Sequence, residues 1–400
     1  MALTLSRWRA SVRAGLEVLD VTPILFANVY QNRTVLVTGH TGFKGSWLCQ
    51  WLHRLGARVH GYALSPQPHE TLYDLLDLSH KLESDTRGDV RNRQLLFETV
   101  QKTKPEIIFH LAAQPLVRLS FDIPVDTFEI NIMGTVNLFE SIRTIDLPCA
   151  VVVVTTDKCY ENREWLHAYR EEDAIGGHDP YSASKGCVEL VVSAYRRSYF
   201  SSNRNQRIAS ARAGNVIGGG DWAADRIVPD VFRALAKGEP IPVRNQHSTR
   251  PWQHVLEPLS GYLWLAANLA LDTPVTSANT DQLCSAFNFG PSLSSNRTVA
   301  DLVQGILKRT GGNWIDRSDS NASHESSRLS LAIEKAFHLL GWKPALNFDE
   351  TVAMTVDWYK AIQANEDVFN FTQKQIADYE IAAAVVGSEW KASFPVSRSK

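Results

Sequence analysis

The chain has 400 residues, is 44% hydrophobic and 21% charged, and carries a formal net charge of −2, the make-up of an ordinary globular protein too long for one core, so two lobes are expected. That charge balance excludes an electrostatic grip on nucleic acid or on an acidic membrane surface, and no apolar run approaches the ~20 residues of a membrane span. The five cysteines, Cys49, Cys149, Cys159, Cys187 and Cys284, are scattered without a CxxC pair, which points to reduced thiols in a cytoplasmic setting rather than to a disulfide frame or a metal site.

Residues 1–31 come first. Arg7, Arg9 and Arg13 precede the first acidic residue, Glu17, as in a transit peptide, but the Ser-rich composition of one is lacking and no apolar h-region follows. The segment therefore reads as an N-terminal extension packed on the first lobe. Thr34-Val-Leu-Val-Thr38 is an unbroken apolar run, the pattern of a parallel strand buried on both faces. It enters the turn Gly39-His-Thr41-Gly42-Phe43-Lys44-Gly45, and the helix after it carries Trp47, Leu48, Trp51, Leu52 and Leu55 on one stripe. A glycine turn between a strand and an amphipathic helix accepts a pyrophosphate. A second strand, Ala57–Ala63, ends without the acidic residue that would bind an adenine ribose, so NAD and NADP are not distinguished there. Asp89 and Val90, in Gly88-Asp-Val-Arg-Asn92, fall where an adenine contact belongs; Asp89 reads equally as a cap for the next helix.

Helical patterns at 91–103 and 124–145 alternate with apolar strands at Ile107–Leu111 and 150–154. Strand and helix repeated in this way predict a doubly wound parallel α/β sheet of the Rossmann type, with ligands at the carboxyl ends of the strands. His110-Leu111-Ala112-Ala113-Gln114 and Thr155-Thr156-Asp157-Lys158 stand at such ends. Asp157 and Lys158 read either as the solvated start of a loop or as groups aimed into the cleft. Tyr181-Ser-Ala-Ser-Lys185 opens the next helix, and residues four apart share one face. A phenol with a pKa near ~10 is a poor base at neutral pH, and a fixed ammonium beside it is the simplest way to lower that value. Beside a dinucleotide turn, this pair means redox chemistry on an alcohol. Arg196 to Arg207 reads as a solvated connection before the strand Ile208–Arg212. Beyond about residue 215 the pattern turns irregular, as expected of a smaller mixed C-terminal lobe closing over substrate. Arg250-Pro-Trp-Gln-His254 suits a diphosphate, or is a surface arginine packed on Trp252. The expected division is 1–31 extension, 32–214 mainly dinucleotide-binding domain, 215–382 mainly substrate lobe with strands returning to the sheet, and 383–400 a loosely held tail.

These motifs together resemble the extended short-chain dehydrogenase/reductases, and among them the CDP-glucose 4,6-dehydratases. The resemblance runs from about 32 to about 380, through VTGHTGFKGSW at 37–47, HLAAQPLVRLS at 110–120, TTDKCYENREW at 155–165, YREEDAIGGHDPYSASK at 169–185, RAGNVIGGGDWAADRIVPD at 212–230, RPWQHVLEPLSGYL at 250–263, FNFGP at 287–291, LGW at 340–342 and WYK at 358–360. The dTDP-glucose relatives have Thr-Asp-Glu where this chain has Thr156-Asp157-Lys158. The resemblance implies an NAD-dependent lyase that turns CDP-glucose into CDP-4-dehydro-6-deoxyglucose, an early step toward deoxysugars of cell-surface polysaccharides. It implies that Tyr181 takes the C4 hydroxyl proton, that Thr156 bonds the same hydroxyl, and that Asp157, protonated in a dry site, gives the departing C6 oxygen its proton. Lys158 stands where relatives have a carboxylate base, and two roles are open to it, proton acceptor at C5 or electrostatic support of an enolate.

Further positions implied are the backbone at Phe43 and Lys44 for pyrophosphate, Leu111 to Gln114 beside the cofactor, and Asn215, Arg226 and Arg250 for substrate. Ala332 stands where the family pattern has an aspartate. A homodimer or dimer of dimers is expected through the helices at 124–145 and 181–199, with Val188, Leu190, Val191 and Tyr195 as candidate packing residues unless these simply cover the sheet. A C4 epimerase or reductase on the same scaffold would need the Tyr and Lys without the acid–lysine pair, and a non-catalytic dinucleotide sensor would need neither.

Overall fold

The computed structural model describes residues 24–66, 71–200, 205–318 and 328–392, so Arg7, Arg9, Arg13, Glu17 and the last eight tail residues lie outside the described residues. Seven parallel strands form the central sheet: β1 (Thr34–Thr38), β2 (Arg58–Ala63), β3 (Ser84–Arg87), β4 (Ile107–His110), β5 (Cys149–Val154), β6 (Gln206–Arg212) and β7 (Ala286–Asn288). Their spatial order is β7-β6-β5-β4-β1-β2-β3. The order reverses between β1 and β4, which pair from Val35 opposite Ile107 to Thr38 opposite His110. A doubly wound sheet opens its ligand crevice at the carboxyl side of that reversal.

Alternation along the strands explains the layering, because successive side chains leave opposite faces. Val35, Val37, Ile107, Phe109 and Val152 join one core with Trp47, Leu48, Leu259 and Leu263. Leu36, Ile108, Val151 and Val153 join the other with Leu96, Leu138, Val188 and Val192. The first face is covered by α1 (Phe43–Arg54), and the second by α2 (Arg93–Thr103), α3 (Gly134–Ile145) and α4 (Pro180–Ser198). The cap of α2 is Asn92, which accepts from the Leu95 N–H at 3.1 Å, so the capping reading of Asp89 does not hold. The predicted helix at 124–145 is interrupted, running as Pro124–Phe128, a wide π turn at Glu129–Met133, and α3. The connection expected from Arg196 begins later, because α4 continues through Arg197 while Tyr195 and Phe200 pack on Phe139.

In the second half of the chain, α5 (Ile227–Lys237) stacks Phe232 on Tyr359 of α8 (Phe348–Gln363), with ring centroids 3.8 Å apart. Between them, α6 (Leu256–Ala270) is buried almost all round and packs under the sheet, and α7 (Val299–Thr310) follows a capping box at Thr298. β7 comes from this half yet lies against β6. The first and last described residues meet. Ile24–Leu25 pairs antiparallel with Lys391–Ala392, and Phe26 stacks on Trp390 at 4.7 Å. The residues after 382, expected to be loosely held, include the end of α9 (Val368–Val385) and the fully buried Trp390. No helix among the described residues is long and apolar enough to cross a membrane.

Candidate active site

The turn after β1 owes its shape to close approach. Gly39 sits at φ +76°, and a Cβ there would come within 2.7 Å of the Ala112 nitrogen. At Gly45 a Cβ would run into the Gly39 carbonyl oxygen. Gly42 caps α1 with no side chain, and the first turn of the helix holds no acidic residue. Backbone N–H groups at such an end suit a pyrophosphate, so these residues fit a dinucleotide. Thr41 donates to the Leu64 carbonyl at 3.1 Å, and His40 is fastened to Asp85 at 2.9 Å. The other wall is the end of β4. Ala112 N–H donates to Thr38 Oγ1 at 3.2 Å, Leu111 N–H to the Thr38 carbonyl, and Gln114 N–H to Asn131 Oδ1 at 2.8 Å. His110 is buried between Thr38 and Thr135, and burial pulls its pKa down to about 3. Asp89 is engaged by Arg91 at 2.7 Å, its carbonyl accepts from Tyr62, and Val90 is buried against Gly134.

The α4 helix starts at the Asp179 cap, which accepts from the Ser182 N–H at 2.8 Å, with Pro180 at its first position. This sets Tyr181 and Lys185 one turn apart at the carboxyl end of β5, where Lys185 Nζ donates to the Val154 carbonyl at 3.2 Å. Burial pulls the Lys185 pKa down to about 8, while Glu189 and Cys159 push it up. Burial pushes the Tyr181 pKa up to about 12. A hydrogen bond with Thr156 and the Arg226 charge act downward, and Asp157 and Asp179 act upward. The expected lowering of the phenol is therefore not what this geometry produces: Tyr181 lies above its ordinary value, because burial outweighs the pull of Thr156 and Arg226.

Asp157 is wholly buried. Its Oδ1 accepts from Thr156 Oγ1 at 3.0 Å and from Lys158 Nζ at 3.1 Å, and its Oδ2 from Asn215 Nδ2 at 3.2 Å. The expected acid is thus one half of an ion pair, and the burial stops at its partner, because the Lys158 side chain is 30% exposed. Asn215, at φ 50°, thus reaches the acid, and its carbonyl accepts from the Gln253 N–H. Arg226 pairs with Asp221 at 2.9 Å, which more than offsets the effect of burial and raises its pKa. Lys44 is pulled down to about 7 by burial and by Arg226, against the pull of Asp157. Tyr181, Lys185, Thr156, Asp157, Lys158, Asn215, Arg226 and Lys44 are thus linked by bonds or charge. Arg250 stands on a separate strand, Thr249–Pro251, paired with Asn296–Thr298, and donates to the Thr249 carbonyl. The residue-by-residue reading missed Glu189, Arg212 and Asn131. Only Glu189 left a signal, one further turn along the face of Tyr181 and Lys185. Among the described residues, no group of three or more His, Cys, Asp or Glu could hold a metal ion.

The family profile described as GDP-mannose 4,6 dehydratase matches residues 36–355. The chain belongs to this family. One member, the CDP-glucose 4,6-dehydratase of Salmonella typhimurium, is 45% identical over 358 residues, covering 88% of this chain and 97% of its own. The dTDP-glucose 4,6-dehydratase DesIV of Streptomyces venezuelae, solved with NAD and TYD, has a TM-score of 0.70 at 24% identity, over 83% of this chain and 98% of its own. The epimerase Mth375 of Methanothermobacter thermautotrophicus also has a TM-score of 0.70, at 22% identity, over 85% of this chain and 95% of its own. A dehydratase and an epimerase superpose equally well, so the likeness to solved structures shows the shared fold and does not separate the two reactions.

Proposed function

We propose that the chain converts CDP-glucose into CDP-4-dehydro-6-deoxyglucose as an NAD-dependent hydro-lyase of the cytoplasm, supplying deoxysugars for surface glycans. The observation that carries this reading is the pair of wholly buried Asp157 and half-buried Lys158 beside Thr156 and Tyr181. A phenol and an ammonium suffice to oxidise or epimerise at C4, whereas removing the C6 hydroxyl needs a proton donor and a C5 proton acceptor as well. The Gly39–Gly45 turn and the end of β4 would hold NAD, which would supply a hydride acceptor for the sugar C4 and a hydride donor for C6.

The phenolic oxygen of Tyr181 takes the proton of the C4 hydroxyl, while Thr156 Oγ1 holds the same oxygen. Lys185 and Arg226 supply the positive charge that a buried phenolate needs. The resulting ketone acidifies the C5 hydrogen. Lys158 Nζ, ion-paired with Asp157, passes a proton to the carboxylate, leaving a neutral amine and a neutral acid. The amine takes the C5 proton, the acid protonates the departing C6 hydroxyl and water leaves; Lys158 gives its proton back to C5 as hydride reaches C6, and the proton that Tyr181 took from the C4 hydroxyl, returned through solvent, restores the ion pair. Asn215, Arg226 and Arg250 are assigned to the substrate, with Asn215 and Arg250 on its diphosphate.

We further assign pairing of two copies to the apolar face made by 117–133 and α4, where Leu119, Phe121, Val125 and Leu190 are exposed, Leu190 to 61%. Val188, by contrast, is spent on the chain's own core. The reaction is tested by parallel incubation with CDP-glucose, dTDP-glucose and GDP-mannose and by weighing the products. Loss of water from CDP-glucose alone is the expected result. A product of unchanged mass makes the chain an epimerase, and dehydration of another nucleotide sugar instead overturns the choice of nucleotide.

A further inference from the structure

We infer that the buried Glu189–Arg212 pair is a positioning device that fixes the catalytic turn 156–158 relative to the Tyr181–Lys185 helix; this rests on the proposed dehydratase reaction and deepens it. The turn is fastened on both flanks. Before it, the Thr155 hydroxyl donates to Glu189 Oε1. After it, the Tyr160 hydroxyl accepts from Arg212 Nη1 at 2.7 Å and donates to Asn288 Oδ1 at 2.7 Å. Arg212 Nη2 and Glu189 Oε2 lie 2.9 Å apart, with side chains only 5% and 4% exposed, and Oε2 also accepts from Ser210 at 2.7 Å. The two ends of the catalytic segment therefore terminate on opposite members of one ion pair.

Glu189 is one turn beyond Lys185, which is one turn beyond Tyr181, so the carboxylate is part of the helix that carries the base. Arg212 is the last residue of β6, its guanidinium lies over the Tyr160 ring at 4.9 Å, and Nη1 also donates to the Glu171 carbonyl at 2.9 Å. A buried ion pair adds little net stability over apolar packing, but it aims hydrogen bonds at fixed points. Here those points are residues 155 and 160. The acid–lysine pair must reach C5 and C6 while Tyr181 reaches the C4 hydroxyl, and the bracket sets the distance between these two sets of groups.

The test uses the NAD-loaded enzyme with CDP-glucose and the variants Tyr160→Phe, Glu189→Gln and their double. Rapid mixing follows C4 oxidation by nicotinamide absorbance and water loss by product mass. Exchange of the 155–160 amides, measured without substrate, reports the turn itself. Tyr160→Phe keeps the ring and its packing, so a folded variant is available even if Glu189→Gln unfolds. Expected for Tyr160→Phe are an oxidation rate within about twofold of the parent and water loss slowed by about 10²-fold, the cost of a misplacement near 1 Å, while Glu189→Gln, which also withdraws the carboxylate that holds up the Lys185 pKa, slows oxidation too, but by less than it slows water loss. Faster exchange at 155–160 should accompany this, and the double variant should be no worse than the poorer single. Equal loss in both steps, no loss in either, or additive losses overturn the inference. Absence of a dehydrated product from the unmodified enzyme instead overturns the reading of the reaction.

Discussion

Burial pushes the Tyr181 pKa up to about 12, so the phenolate that takes the C4 hydroxyl proton depends on the cations around it. Lys185, at about 8, is an ammonium below that value and an amine above it. Glu189 on its own helix and Cys159 of the catalytic turn push it up, while its charge presses in turn on His110 of β4 and Lys44 of α1. Turnover should therefore fall as pH rises through about 8, with the charge on Lys44 already fading near 7. A kcat profile flat to pH ~10, the ordinary lysine range, removes Lys185 from this role. Asp157 makes a second prediction at this scale. Asp157→Asn keeps the shape of the side chain but cannot shuttle a proton, so the nucleotide sugar should still be oxidised at C4 while water loss drops by about 10²–10⁴-fold. Product masses and single-turnover absorbance check this, and normal dehydration by the variant would take the acid role away from Asp157.

The strand–turn–helix unit β1–α1 is where backbone, rather than side chains, prepares the site. Gly45→Ala would press a methyl group onto the Gly39 carbonyl, at the turn that presents the first N–H groups of α1. Overpacking of this kind costs about 1–3 kcal/mol. NAD affinity, measured by calorimetric titration, should weaken by about tenfold or more, and unchanged affinity would mean the pyrophosphate sits elsewhere. The interrupted helix before α3 teaches a different lesson. Its apolar periodicity runs on through 129–133, which is why one helix was expected. The turn widens where Asn131 bonds to Gln114 and, at 2.8 Å, to Ser184 of α4. Those partners are distant in sequence and invisible to a periodicity argument.

At the scale of the molecule, one aromatic cluster, Phe26, Trp51, Tyr379 and Trp390, ties the first residues described to the last helix. The opposite side of the sheet leaves Phe121, Val125 and Leu190 facing outward, side chains with no structural need inside one copy. The double variant Phe121→Asp, Leu190→Asp should convert a dimer into a monomer by light scattering while leaving the unfolding midpoint of the single chain nearly unchanged, since a stable interface needs about 800 Å² from each partner and charges at its centre oppose that burial. A dimer that survives both substitutions places the interface on another face.

The sequence by itself determined the strands, the glycine turn and the Tyr181–Lys185 spacing, because each is a local matter. An apolar run can only be covered on both faces, a turn that must pass close to backbone needs glycine, and residues four apart on a helix share a side. Tertiary structure alone decided that Asn215 meets Asp157, that Glu189 and Arg212 clasp the catalytic turn, that β7 returns to the first sheet, and that Trp390 is core rather than tail. It also decided the charge state of the base. Burial and neighbouring charge set a pKa, and both belong to groups that only the folded chain brings within reach.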